Sequence, residues 1–247
     1  IPFFLGLILI RGFINAQKID IKQISIESNK VTMSHRIAFI SDVHLGSQSI
    51  GHLKKIIELI NDQDVDALLI GGDLIDSSSF DLTQLDCLTL FSKPIYFVTG
   101  NHEYYLKDSH NKLSQLQQFS IKLIDNETFQ LNELLLIGVG DSLSKVNKFK
   151  QLSSICSDKF RLLMVHRPSL WPKAAECCDL MLSGHTHAGQ MFPFHYLVKL
   201  QFPYYYGLYN VGHSYAYVSS GVGCWGPRIR LGSQNEIVIL TINPIKS

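Results

Sequence analysis

Five short polar signatures in this sequence can carry chemistry: Asp42 and His44 in SDVHLG, Asp73 and Asp76 in GGDLID, Asn101 and His102 in GNHE, His166 in MVHRP, and His185 and His187 in GHTH. They offer carboxylate or amide oxygen and imidazole nitrogen and no thiolate, a donor set that suits Mn, Fe, Zn or Mg better than a soft metal. Asp42 and His44 stand at i and i+2, as do His185 and His187. On extended backbone leaving a strand, side chains two apart project to the same side and can grip one ion together. Either pair alone is a common accident of sequence; the ordered set of five is not. Gly71, Gly72, Gly100 and Gly184 adjoin the signatures, as tight strand-to-loop turns beside a ligand require.

Each signature follows a short apolar run. Strands are predicted at 36–41, 67–70, 95–98, 134–139, 161–165, 180–182, 215–219 and 237–242. Helices are predicted at 53–60, where apolar residues fall at 53, 56, 57 and 60, and at 82–91. This alternation is the pattern of an α/β protein. In open α/β sheets ligands bind beyond the carboxyl ends of the strands, so residues far apart in sequence can converge there. The length of 247 residues, with 46% hydrophobic and 17% charged, gives one catalytic-sized domain and excludes disorder, collagen and coiled coil. With 22 basic residues against 21 acidic ones the net charge is +1, so no broad electrostatic reason to bind nucleic acid follows.

The five cysteines, Cys87, Cys156, Cys177, Cys178 and Cys224, are odd in number and form no C-x-x-C, which suggests neither a disulfide framework nor a zinc knuckle and fits a reducing compartment. Cys177 and Cys178 read as small buried hydrophobes. His35, His52, His110, His195 and His213 lack motif context and read as surface or packing residues.

The first residue is isoleucine, so an N-terminal piece is expected to be missing. Residues 1–10, IPFFLGLILI, form an uncharged apolar run about half of the roughly 20 residues that span a bilayer. The favoured reading is the end of a membrane anchor; a buried or frayed terminal helix is the alternative. Arg11, Lys18, Lys22 and Lys30 follow, opposed only by Asp20 and Glu27, and such a flank favours the cytoplasmic side. Residues 1–17 are therefore expected to be a partial anchor or leader and residues 18–247 the catalytic domain.

The order D-x-H, G-D-x-x-D, G-N-H-E, H, G-H-x-H resembles the calcineurin-like metallophosphoesterases, with the motifs spanning Asp42 to His187. The resemblance implies an α/β fold, a two-sheet β-sandwich flanked by helices, holding two divalent metal ions, Mn2+ first and Fe, Zn or Mg as alternatives. One ion is then held by Asp42, His44, Asp73 and His187, and the other by Asp73, Asn101, His166 and His185, with Asp73 shared. Two such ions repel, so a shared carboxylate and a bridging hydroxide are natural occupants between them, and the hydroxide is the expected nucleophile toward phosphorus. His102 remains outside both sets and is the expected proton donor to the leaving oxygen. A contact from Asp76 would orient it and favour its imidazolium form. Glu103 reads as structural, and Arg167 as a possible phosphate contact. A non-catalytic metal-binding scaffold on the same fold is the remote rival, disfavoured because every ligand position is filled.

The family's reaction leaves the substrate open, and departures narrow it. Ser77-Ser78-Ser79 follows GDLID where phosphoprotein phosphatases carry Arg-Gly, and no basic stripe favours a nuclease. Gly184 to Gln190, Gly207 to Tyr209 and Ser219 to Gly223 resemble the membrane-anchored bacterial-type subgroup, which includes proteins similar to the UDP-2,3-diacylglucosamine pyrophosphatases of lipid A synthesis; Ala188 departs from a usual glycine. The expected substrate is thus a lipid-linked phosphate ester or pyrophosphate, with a soluble nucleotide or other small phosphodiester as the alternative. The aromatic-rich stretch 191–209 is either a packed loop or an interfacial surface near the metals. Trp225, Arg228 and Arg230 either flank the substrate phosphate or form a hairpin with solvated arginines.

Overall fold

The computed structural model describes residues 2–142, 147–148, 152–153, 155 and 157–245, with side chains from residue 6 onward; Ile1 and Cys156 lie outside the described residues. Helix α1 (Pro2–Gln17) leads directly into strand β1 (Ile19–Ser28). The first sheet has the order β1, β12 (Asn235–Pro244), β2 (His35–Ile40), β3 (Ala67–Ile70), β4 (Ile95–Phe97) and β5 (Ile121–Leu123). The second has the order β10 (Gly207–Val211), β11 (Ser214–Val218), β9 (Leu180–Ser183), β8 (Phe160–Val165), β7 (Leu134–Val139) and β6 (Thr128–Leu131). Strands β2 to β5 are mutually parallel, as are β7, β8, β9 and β11, and the antiparallel pairings are β12 with β2, β6 with β7 and β10 with β11.

The period of two sorts each strand between two apolar layers. Ile37, Phe39, Leu69 and Tyr96 face Leu136, Leu162, Met164, Leu182 and Tyr217 in the core between the sheets. Ala38, Ile40, Leu68 and Ile70 turn outward under helix α2 (Ile50–Asn61), whose Leu53, Ile56, Ile57 and Ile60 form its buried stripe. Beyond the second sheet, Leu163, Val165 and Met181 pack on Leu170, Trp171 and Ala174 from short 3-10 turns. The chain is therefore the expected α/β sandwich of two sheets flanked by helical segments.

Strands β5, β6 and β10 are not among the elements expected from the sequence, and two further elements differ from expectation. Leu82–Leu90 is a 3-10 helix rather than an α-helix, and its buried Leu82, Leu85 and Leu88 recur at the 3-10 period of three. Strand β1, read in sequence only as a basic flank, pairs in parallel along ten residues with β12.

Candidate metal centre

Every signature lies where a parallel strand ends: Asp42 and His44 after β2, Asp73 after β3, Asn101 after β4, His166 after β8, and His185 and His187 after β9. The backbone there is not the extended chain that the i, i+2 argument assumed. Asp42, His44, Asp73, His185 and His187 have φ of 57°, 55°, 53°, 73° and 50°, in the left-handed region that non-glycine residues rarely enter. The two members of each pair still converge, but through turns that cost strain of the kind held at functional sites. Gly72, itself at φ 98°, abuts the His166 ring so closely that any Cβ would collide, and Gly184 does the same against Asp42. Larger residues at either position would displace a ligand.

Among the described residues, three groups of side chains bring donor atoms within metal-binding reach: Asp42, His44 and His187; Asp73, His166 and His185; and His44, Asp73 and His102. In the first, His187 Nε2 lies 3.1 Å from His44 Nε2 and 3.3 Å from Asp42 Oδ1. Two imidazole nitrogens at that distance either share a proton or direct both lone pairs at a cation. In the second, His166 Nε2 lies 3.1 Å from Asp73 Oδ2. The same oxygen is 3.9 Å from His44 Nε2, so Asp73 Oδ2 stands between the two groups, while Oδ1 accepts a bond from the His102 N–H at 2.9 Å. Asn101 is buried, and its Oδ1 has no hydrogen-bond partner in the protein. An amide oxygen so placed fits a cation ligand, because a buried acceptor left unpaired is otherwise costly.

The supporting bonds set ligand orientation. His166 Nδ1 donates to the Gly71 carbonyl at 2.8 Å, which presents Nε2 to Asp73. The Asp42 carboxylate accepts from Ser41 Oγ at 2.5 Å and from the His185 N–H at 3.0 Å. Burial alone would lower the pKa of His166, but the Asp73 carboxylate overrides it and raises the imidazole to about 10, and Asp73 is in turn pushed down by His166. His185 and His187 fall to about 3, mainly through burial and then through neighbouring cations. In the metal-free protein His166 is thus an imidazolium at neutral pH and the GHTH pair is neutral. A cation at His166 Nε2 must displace its proton. Loading the metal-free protein near about pH 7.5 is therefore expected to release at least about one proton per protein, one of them from this residue, read by calorimetry in buffers of different ionisation heat. Proton-free binding would show that His166 does not ligate.

Asp76 is placed differently from expectation. Its carboxylate lies 3.4 Å from His44 Nδ1 and accepts from the Ser47 N–H at 2.9 Å, so it braces His44 and reaches His102 only through space. The His102 ring packs edge-on to His44 at 4.7 Å, with its Nε2 4.0 Å from Asp73 Oδ2. Burial holds His102 below its ordinary value of 6.5, the opposite of the imidazolium-favouring contact that its sequence neighbours suggested. Arg167 pairs with Asp141 at 3.1 Å.

Glu103, read as structural, is more tightly woven into the site than its sequence suggests. Its buried carboxylate accepts from the N–H groups of Gly100 (2.7 Å), Asp73 (3.0 Å), Leu74 (2.8 Å) and Ile75 (3.1 Å), joining the Asp73 loop to the start of helix α3 (Asn101–Tyr105). The G-x-x-E spacing of a helix start was the available signal. Burial, with Asp73 nearby, raises its carboxyl to about 7. Arg230 is neither a phosphate contact nor solvated; it is fully buried behind His187. Arg228 is exposed and donates to the Ser47 carbonyl. Gln190, overlooked in sequence, clamps Trp225 by accepting from its N–H and donating to its carbonyl, each at 2.9 Å.

A cavity of about 750 Å3 opens over these ligands, with His44, Asp73, Asn101, His102, His185 and His187 along its floor. Its walls are Met191, Phe194, Leu197, Val198, Phe202 and Trp225. Phe194, Leu197, Val198 and Gln201 recur at helical spacing, so helix α5 (His195–Gln201), which follows α4 (Ser109–Gln115) in chain order, and its N-terminal flank turn one side to the cavity.

The calcineurin-like phosphoesterase family description matches residues 35–189, the stretch that carries every ligand above. This chain belongs to that family. Phosphoesterases of this family typically hold two divalent metals, and the two groups that meet at Asp73 Oδ2 are candidate ligand clusters for such ions. The chain is a metal-dependent phosphoester hydrolase. It is 35% identical to an uncharacterized metallophosphoesterase of Helicobacter pylori, over 99% of this chain and 70% of the relative. It is 30% identical to an uncharacterized metallophosphoesterase of Aquifex aeolicus, over 90% of this chain and 91% of the relative. A Bos taurus relative named as a transmembrane protein with metallophosphoesterase domain is 32% identical over 85% of this chain and 53% of its own length.

Proposed function

We propose that this phosphoesterase hydrolyses a phosphodiester or pyrophosphate bond of an amphiphilic, lipid-linked substrate at the cytoplasmic surface of a membrane, with Mn2+ as its first-choice metal. The observation that carries the substrate class is the cavity, whose floor of ligand atoms meets walls of Phe194, Leu197, Phe202 and Trp225. A phosphate needs only the floor; an apolar substituent gains from the walls. UDP-2,3-diacylglucosamine is one compound of that shape.

In this reading Asp42, His44 and His187 would hold one ion and Asn101, His166 and His185 the other, with Asp73 within reach of both groups. When bound, the ions would supply Lewis acidity toward the phosphoryl oxygens and the attacking water. The chain's own part is to fix these ligands by the bonds of Glu103, Gly71 and Ser41, to exclude water with the aromatic wall, and to deliver a proton from His102 to the leaving oxygen. Asp76 acts on His44.

Surface association is supported by exposed apolar residues on neighbouring elements. Leu7, Ile8, Leu9, Ile10, Phe13 and Ile14 of α1 are exposed, as are Phe192, Phe194, Tyr196, Leu197 and Leu200 around α5. The two elements are joined through Leu231, whose side chain neighbours Gly12 and whose carbonyl accepts from the Phe192 N–H at 2.8 Å. Among the described residues no helix is long and apolar enough to cross a membrane. The bovine relative's name, a transmembrane protein, supports placing residues 1–17 at a membrane.

Phe194→Ser separates the substrate classes. Losing an aromatic contact that the bound substrate would cover, worth at least about 1.5 kcal/mol, is expected to lower kcat/KM on a diacyl pyrophosphate in Mn2+ buffer by about tenfold or more. Hydrolysis of bis(p-nitrophenyl) phosphate should change less than about twofold. Equal losses on both would make the wall structural and favour a soluble substrate.

A further inference from the structure

Arg230 stands outside the roles described so far. It is completely buried, yet among the described residues no carboxylate hydrogen-bonds to it. Its guanidinium is instead caged by carbonyls: Nη2 donates to Ser220 (2.6 Å), Gly223 (2.6 Å) and Gly221 (3.3 Å), and Nη1 to His187 (3.2 Å) and Gln234 (3.0 Å). Burying a charge this deeply is costly; the carbonyls satisfy Nη1 and Nη2, while Nε has no hydrogen-bond partner among the described residues.

The acceptors are not scattered. The loop after β11 that supplies Ser220, Gly221 and Gly223 is bonded to the Asp42 segment, with Val222 N–H donating to the Ser41 carbonyl and Gly223 N–H to the Asp42 carbonyl, each at 2.9 Å. Arg230 therefore reaches two of the three residues in one ligand group, Asp42 through this loop and His187 directly. It makes no hydrogen bond to Asp73, His166 or His185 of the other. On its opposite side the backbone of Arg230 meets α1: its N–H donates to the Gly12 carbonyl at 3.0 Å, and Asn15 Nδ2 reaches its carbonyl at 3.5 Å. Gly12 permits this approach, because a Cβ there would lie 2.6 Å from Ile229 Cγ2.

We propose that Arg230 is a positioning residue that couples the seating of helix α1 to the Asp42–His44–His187 cation site, leaving the Asp73–His166–His185 site independent of it. The proposal rests on the two-cation reading of the centre. Lysine keeps the charge but cannot fork between carbonyls, so Arg230→Lys frees the loop and the His187 backbone together. Gly12→Val, remote from every ligand, wedges α1 away from the Ile229–Leu231 segment and tests the coupling from the other end.

The experiment is Mn2+ titration of the metal-free full chain, followed by calorimetry and by the electron paramagnetic resonance of free Mn2+, alongside thermal unfolding without metal. Wild type should bind two ions. Arg230→Lys should leave one binding step unchanged and weaken the other by about 10- to 100-fold, the usual effect of losing an outer partner of a ligand. Gly12→Val should weaken the same step by about threefold or more. Two unchanged steps in either variant, or equal weakening of both steps, would overturn the coupling, including where the melting temperature falls. If Arg230→Lys does not fold, Gly12→Val decides alone. Fewer than two ions in wild type would instead defeat the two-cation reading.

Discussion

Asp73→Ala is expected to strip both cations from the protein and to reduce phosphodiester hydrolysis by at least about 10³-fold. Asp73 Oδ2 lies 3.1 Å from His166 Nε2 and 3.9 Å from His44 Nε2, so one oxygen stands within reach of both candidate ligand groups. Losing the Lewis acidity of the centre forfeits several kcal/mol of transition-state stabilisation, at about 1.4 kcal/mol per factor of ten. Metal content by mass spectrometry of the desalted variant, with its rate under saturating Mn2+, checks both parts. A variant that keeps two ions, or keeps one ion with near-normal turnover, would refute the shared-carboxylate assignment.

His102→Ala should behave differently, retaining both ions while losing turnover by about 10²-fold or more on a substrate with a poor leaving group, the scale of general-acid removal. A p-nitrophenyl ester, whose leaving group needs no proton, should lose far less. The pH dependence follows from the burial that holds His102 below 6.5. A general acid works in its protonated form, and that fraction falls as pH rises through a value below 6.5. The kcat/KM of wild type for the poor leaving group should therefore decline on the alkaline side of that value, and the variant should lack this limb. Identical profiles for the two proteins would remove His102 from the proton transfer.

The strands that position the centre were legible because parallel strands covered on both faces read as unbroken apolar runs, as in Ala67–Ile70 and Leu180–Ser183. The candidate ligand residues stand out in sequence because each polar signature interrupts such a run. Strand β1 was not legible, since as an edge strand it keeps Asp20, Lys22 and Glu27 in solvent and buries only Ile24 and Ile26. Nor were the left-handed turns at Asp42, His44 and Asp73, because nothing in a non-glycine residue type announces a positive φ. Asp76 was assigned to the wrong histidine for a related reason: spacing in sequence cannot say which of two neighbouring rings a turn will present. Arg230 was illegible because its burial depends on carbonyls of the 220–223 loop and on His187, brought together only by the fold.

Asp42, His44, Asp73 and Asn101 extend from the first sheet and His166, His185 and His187 from the second, so each of the two ligand groups that meet at Asp73 draws on both sheets. The distance across each cation site is then fixed by the thickness of the layer between the sheets, where Phe39, Met164 and Tyr217 act as shims. Trimming or enlarging one of those side chains changes a gauge rather than a contact. Because misplacement of about 1 Å can cost about 10² in rate, substitutions in the apolar filling between the sheets are expected to reach the candidate cation sites without touching them.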